Sequence, residues 1–206
     1  MFRITSSRPA AALAVALGTA ALVPAGASAS TTWFGSSLNH EPANAGSTCA
    51  DNGVLGSPLC THVGSFYPGT SGRTKAPVSG TITKVKVRAQ GPTKLTFRLV
   101  KVRHVAKNHR SGQAEAVARG RTVSVKGPSQ DQLDNGIYPV ETFRTKLKVR
   151  KGQELAVDTR SNTAEYCSDG TPGQLLFSPT LKVGGGFHAS KGVDDCLMLV
   201  QAVVKH

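Results

Sequence analysis

Cations at every second position are the feature of this chain best suited to chemistry. Lys84, Lys86 and Arg88 alternate with apolar residues in "ITKVKVR", and Arg144, Lys146, Lys148 and Arg150 alternate with Phe143, Thr145, Leu147 and Val149 in "FRTKLKVR". Arg98 holds a similar place between Phe97 and Leu99. Twelve lysines and arginines fall between Lys84 and Lys126 against one acid, Glu115. Fixed positive charge along extended chain concentrates anionic polymers by a long-range, salt-sensitive attraction. It points to phosphate- or carboxylate-bearing wall polymers, polysaccharides or lipid headgroups as partners. Nucleic acid is less well supported, because stacking on bases asks for aromatic side chains among the cations. The outward positions of these two stretches carry none. The competing reading is that lysine and arginine keep a sheet soluble and discourage edge pairing.

Other chemistry finds less support. The six histidines, His40, His62, His104, His109, His188 and His206, lie at no spacing that forms a metal site on one strand or helix turn. There is no G-x-S-x-G elbow, no H-E-x-x-H and no phosphate-cradling G-x-x-x-x-G-K-[ST], so no resident metal or cofactor is implied. Carboxylates able to serve a hydrolase occur as Asp131 with Asp134, Glu154 with Asp158, and Asp194 with Asp195. Glu154 and Asp158 share a strand face about 13 Å apart along it, too far for a retaining glycosidase pair. "DQLDNG" has the oxygens of a loose calcium loop but not the D-x-[DN]-x-[DN]-G order, and reads as a polar turn.

The elements that would position the cations are strands. Period-two alternation puts charge on one face and aliphatics on the other in "ITKVKVR" and in "ETFRTKLKVRKGQELAVDTR", where Leu155 and Val157 continue the apolar side. In "KLTFRLVKVRHV" the apolar phase slips after Leu99, to Val100 and Val102, which predicts a bulge. "CLMLVQAVVKH" is the most apolar stretch and is expected at the centre of a sheet. Turn-rich connectors recur between such segments and no helix is predicted. The chain is therefore expected to be all-β, an antiparallel β-sandwich or barrel, with the sandwich preferred.

The first 29 residues read as a secretory signal peptide. Arg3 and Arg8 precede an apolar run, Ala10 to Val23, and Ala27-Ser28-Ala29 forms a small-residue cleavage site. The run is short for a membrane anchor, and no transmembrane anchor is predicted. Two of the net +13 charges belong to this leader, so the remainder stays strongly basic. In an exported chain the four cysteines read as disulfides. The two local pairs, Cys49–Cys60 and Cys167–Cys196, are favoured among three connectivities, and the absence of a C-x-x-C argues against zinc. Residues 30–60 are expected to form an irregular, disulfide-closed arm. Trp33 and Phe34 would pin it to the sandwich domain at 61–206, rather than reach into a neighbouring molecule or bind a sugar ring.

The run "CTHVGSFYPG", the "P-x-x-G-x-I" opening at Pro77–Ile82, the "V-x-x-G-x-x-L" turn at Val149–Leu155 and the final "DDCLMLVQAVV" resemble a group of uncharacterised secreted proteins of actinobacteria. The resemblance spans most of residues 60–204 and implies a single jelly-roll-like sandwich with paired cysteines. It implies no catalytic residues. The expected function is a secreted, extracellular or cell-wall-associated binding module without catalytic residues, in which Lys84, Lys86, Arg88, Arg98, Arg144, Lys146, Lys148 and Arg150 contact an anionic polymer. The alternatives are a structural, partner-binding surface protein and a polysaccharide hydrolase.

Overall fold

A computed structural model of the chain describes residues 29–43, 59–160, 163–167 and 173–206. Residues 1–28, in which a leader was expected, and Cys49 lie outside the described residues. Among the described residues, fourteen strands and one short helix follow in order. They are β1 (Thr31–Ser36), β2 (Cys60–Gly64), β3 (Gly72–Arg73), β4 (Gly80–Arg88), β5 (Thr93–Arg103), β6 (Gln113–Val125), α1 (Gln130–Asp134), β7 (Val140–Val149), β8 (Glu154–Thr159), β9 (Glu165–Cys167), β10 (Gln174–Phe177), β11 (His188–Ala189), β12 (Gly192–Asp194), β13 (Cys196–Met198) and β14 (Val200–Lys205).

The strands form a five-stranded sheet in the order β3-β1-β14-β4-β7 and a seven-stranded sheet in the order β11-β6-β5-β8-β2-β10-β12, with β9 and β13 as a separate pair. All paired strands run antiparallel. Alternation builds the core between the sheets. Ile82, Val85 and Val87 of β4 and Val200, Ala202 and Val204 of β14 meet Leu95, Phe97 and Leu99 of β5 and Leu155 and Val157 of β8. Each such aliphatic or aromatic side chain taken from water favours folding by about 1.5–3 kcal/mol. Ile82 and Val85 are an odd number of residues apart yet both face inward. The register of β4 against β14 shifts there, leaving Thr83 as the extra residue that restores the phase. The most apolar segment is indeed central, since β14 is the middle strand of its sheet.

The seven-stranded sheet is buried on its second face as well. Val63, Val100, Ala114, Ala116, Ala156, Leu175 and Phe177 form another cluster with Leu181, from the segment after β10. This explains the phase slip in β5. The strand runs regularly against β8, with Leu99 in the first cluster and Val100 in the second. The register does shift between Leu99 and Val100, but the extra residue is Val117 on β6. The apolar residues change sides because a second core takes over.

Two further expectations are modified. The arm begins as a regular strand, because β1 pairs with β14 from Thr31↔Lys205 to Gly35↔Gln201. Phe34 is fully buried in the first core, so the arm is pinned to its own domain. The polar stretch after Lys126 contains α1, a single helical turn. Ser129 caps it by accepting from the Gln132 backbone N–H, while the Gln132 side chain accepts from the Ser129 N–H. Asp131 and Asp134 belong to that turn rather than to a cation loop. Cys167 and Cys196 are disulfide-bonded as expected, on adjacent strands β9 and β13. Cys60 is disulfide-bonded too; the favoured partner, Cys49, falls outside the described residues. No helix among the described residues is long and apolar enough to cross a membrane.

Candidate functional site

β4 and β7 are neighbours, and their pairing decides how the cations are arranged. Lys84 lies opposite Arg144, Thr81 opposite Lys148 and Lys86 opposite Thr142. Because Val85 and Val87 are buried, the intervening Lys84 and Lys86 point away from the core, and Arg144, Lys146, Lys148 and Arg150 are exposed on the same side. The five-stranded sheet thus has a cationic outer face. It continues across β14, where Lys205 sits opposite Thr81. Among the described residues, no outward position of these strands is Asp or Glu. Glu141 of β7 faces the other way and accepts from the backbone N–H groups of Lys126 and Gly127 at 2.8 Å each.

An aromatic joins this face. Trp33 pairs with Val203, which pairs with Lys84, which pairs with Arg144, so four strands contribute to one transverse row. Phe34 faces the core, so Trp33 faces out, and the Arg73 guanidinium of β3 lies 5.0 Å from its ring centroid. Sequence inspection placed no aromatic among the cations because Trp33 and Lys84 are far apart in the chain. Only the β1–β14–β4 order brings them to one surface.

Two of the proposed contact residues have other tasks. Arg98 is on β5, in the opposite sheet, and only 6% exposed. Its Nε and Nη2 donate to the Asp158 carboxylate at 2.7–2.8 Å, so it is removed from the set of polymer-contacting residues. The alternation that placed Arg98 outward was right about direction, but that side of β5 is itself covered. Asp158 also accepts from the Thr61 hydroxyl at 2.7 Å, which completes a buried, paired group. Arg88 is half-buried and donates to the backbone carbonyls of Leu38, His40 and Tyr138 at 2.9–3.2 Å. It ties the segment after β1 to the segment before β7. The dense run of cations after Lys84 is accordingly divided between the two sheets, and Lys94, Lys101, Arg103, Arg119 and Arg121 do not join the face described above.

The acids proposed for hydrolysis do not form a pair. Asp158 is neutralised by Arg98, Asp194 is buried at 2% exposure, and Asp195 lies 3.7 Å from Arg110. Glu154 is different. It is 3% exposed at the start of β8, and its Oε2 has no hydrogen-bond partner. Burial pushes its carboxyl up to about 8, against a smaller downward pull from Lys75. Glu154 lines a hollow of about 310 Å³ with Ser65, Phe66, Tyr67, Lys75 and His109. Sequence reasoning could not find this site, because its residues come from four separate segments.

A second polar cluster is closed in. His62 lies 3.2 Å from Glu165 and 3.0 Å from the Gln174 carbonyl oxygen. Burial works against its protonation, but the hydrogen bond and charge of Glu165, with help from Gln174 and Asp194, raise its pKa overall. Glu165 and Asp194 also approach Cys167 and Cys196, but those sulfurs are bonded to each other and are not thiolate ligands. No family model, curated protein or solved structure matches this chain.

Proposed function

We propose that this protein is a secreted, extracellular or cell-wall-associated binding module that contacts anionic polymers of the cell envelope or its surroundings through the outer face of the five-stranded sheet, without catalysing a reaction. The observation that carries this reading is the pairing of β4 with β7, which gathers Lys84, Lys86, Arg144, Lys146 and Lys148 on one surface where these strands present no outward acid among the described residues. Cations held on a rigid sheet are spaced by strand geometry, at about 4.8 Å between strands and about 6.6 Å between outward residues of one strand. That spacing suits the repeating charges of a linear polyanion, and the binding energy would come largely from released counterions. Trp33, held under Arg73, adds an apolar platform for a ring carried by the polymer. We read the sandwich as jelly-roll-like, since the chain passes from β4 in one sheet to β5 and β6 in the other and returns at β7.

Retention on immobilised polyphosphate and on immobilised polyglutamate tests the proposal, with the triple variant Lys84→Glu, Arg144→Glu, Lys148→Glu as comparison. All three positions are exposed, so the fold should survive. The wild-type protein should be retained at low salt and released as salt rises, and the variant should pass through. Equal retention of the two proteins would refute the proposal.

A further inference from the structure

Several cations that do not join the polymer-binding face gather on the seven-stranded sheet instead. The side of β5 that carries Val100 into the second core also carries Lys94, exposed near the start of the strand. A hollow of about 570 Å³ opens there. Its lining includes Lys94 of β5, Arg119 and Thr122 of β6 and Arg160 just after β8, with Leu59 and Pro92 as its apolar part. Strand pairing holds these residues together. Thr96 of β5 pairs with Thr122 on one side and with Asp158 on the other, and Arg98 pairs with Arg119. Lys94 stands two residues before Thr96 and Arg160 two beyond Asp158, so the antiparallel β5–β8 pairing brings both to the same end.

Lys94, Arg119, Thr122 and Arg160 are all exposed, so their polar ends are open to a ligand in the hollow. Among the described residues, none of the three cations has an ion-pair or hydrogen-bond partner for its side chain. The one acid in the lining, Asp158, lies beneath at 2% exposure, and its charge is met by Arg98 and the Thr61 hydroxyl. Three uncompensated positive charges therefore surround one concavity, which focuses their field on an anion. The hydroxyl oxygens of Thr96 and Thr122 are 2.6 Å apart. When the buried Thr96 donates, the exposed Thr122 keeps its own proton to give to a ligand. A carboxylate carries one charge in one plane, which a single arginine fork satisfies. A phosphate monoester carries a charge of about −1.5 to −2 and three acceptor oxygens, enough to engage two guanidinium groups, an ammonium and a hydroxyl together.

We propose that the hollow lined by Lys94, Arg119, Thr122 and Arg160 is a binding site for a small phosphate monoester, its phosphate held by the three cations and the Thr122 hydroxyl. The volume of about 570 Å³ exceeds what one phosphate group fills and leaves room for a small organic part against Leu59 and Pro92. The site is independent of the polymer-binding face and selects a different ligand. Internal groups of a long polyphosphate carry one charge each and suit the extended face, whereas the hollow suits a compact dianion.

The test is titration of the full chain with glycerol phosphate, and with glycerate as the singly charged carboxylate counterpart, followed by calorimetry and backbone NMR shifts. The expected result is saturable binding of glycerol phosphate, about tenfold or more tighter than glycerate, with shifts centred on Lys94, Arg119 and Thr122. Lys94→Gln and Arg119→Gln should each weaken that binding by about tenfold, the loss of one charge-assisted hydrogen bond. Both positions are exposed and unpaired among the described residues, so the fold should be kept. The Lys84→Glu, Arg144→Glu, Lys148→Glu variant should bind glycerol phosphate as wild type, which separates this site from the cationic face. No saturation by glycerol phosphate would overturn the proposal, as would unchanged affinity in both glutamine variants. Equal affinity for glycerate, or shifts spread equally over Lys84 and Arg144, would also overturn it, by marking general charge attraction in place of a site.

Discussion

Lys84 and Arg144 face each other directly across the β4–β7 pair, with Trp33 two strands away in the same transverse row. Like charges at paired positions oppose sheet formation, by up to about 1 kcal/mol where they are exposed. No outward Asp or Glu among the described residues of these strands accompanies them, and Lys148, Lys146 and Lys205 extend the same sign. A surface that repels itself and yet is assembled in register is consistent with a partner of opposite charge. β7 is also an edge strand, so its lysines have a second effect in discouraging pairing with another chain.

Replacing Lys84 by Thr should therefore stabilise the fold slightly at low ionic strength. The gain expected is a few tenths of a kcal/mol up to about 1 kcal/mol, shrinking as salt screens the pair. Urea unfolding at two salt concentrations checks this. The same variant should hold polyphosphate less tightly.

Glu154 makes stability depend on pH in a stated direction. Its carboxyl ionises near 4.5 in the unfolded chain but only at about 8 in the fold. Between those values the native state keeps a proton that the unfolded state releases, so stability falls as pH rises and levels off above about 8. Each pH unit crossed costs at most about 1.4 kcal/mol. Glu154→Gln should flatten this slope, and it should be more stable than wild type at pH 8 while nearly equal at pH 4. Denaturant midpoints measured across that range test it, and a slope unchanged in the variant would count against a buried protonated carboxyl.

The Arg98–Asp158 pair predicts a non-additive result. Arg98→Ala leaves a buried carboxylate with only Thr61 as side-chain donor and should destabilise by about 3–5 kcal/mol. Replacing both partners with apolar residues of similar size, Arg98→Met with Asp158→Leu, should recover most of that loss. A double-mutant cycle in urea gives the coupling.

The Cys167–Cys196 bond joins residues 29 apart in sequence. Closing a loop of that length restricts the unfolded chain by an amount worth about 3–4 kcal/mol in the chain-entropy account. The variant Cys167→Ser with Cys196→Ser should lower the thermal midpoint accordingly, and reduction of the wild-type protein, which also opens the bond at Cys60, should lower it further.

Alternation was legible wherever one side of a strand faces water. In β7, Arg144, Lys146 and Lys148 are exposed while Phe143 and Leu147 pack against the core, as their spacing requires. It became ambiguous where both sides are covered. Arg98 obeys the period of β5, but its side of the sheet is covered, and an arginine there needs Asp158, sixty residues on. The same double cover makes Val100 look like a slipped position when it belongs to a second core. The two sites differ likewise. The cationic face needed only one adjacency, β4 with β7, to follow from the sequence. The hollow at Glu154 draws on the residues after β2 and β3, the β5–β6 loop and the start of β8. No local pattern marks residues that converge only through tertiary structure.

The central claim is that the outer face of the five-stranded sheet is where an anionic polymer docks. Backbone and indole NMR shifts during titration with polyphosphate at low salt test it most directly. The account predicts shifts concentrated at Trp33, Lys84, Lys86, Arg144 and Lys148, fading as salt is added. Shifts confined to Lys94, Arg119 and Arg121 on the opposite sheet, or no shifts at all, would contradict it.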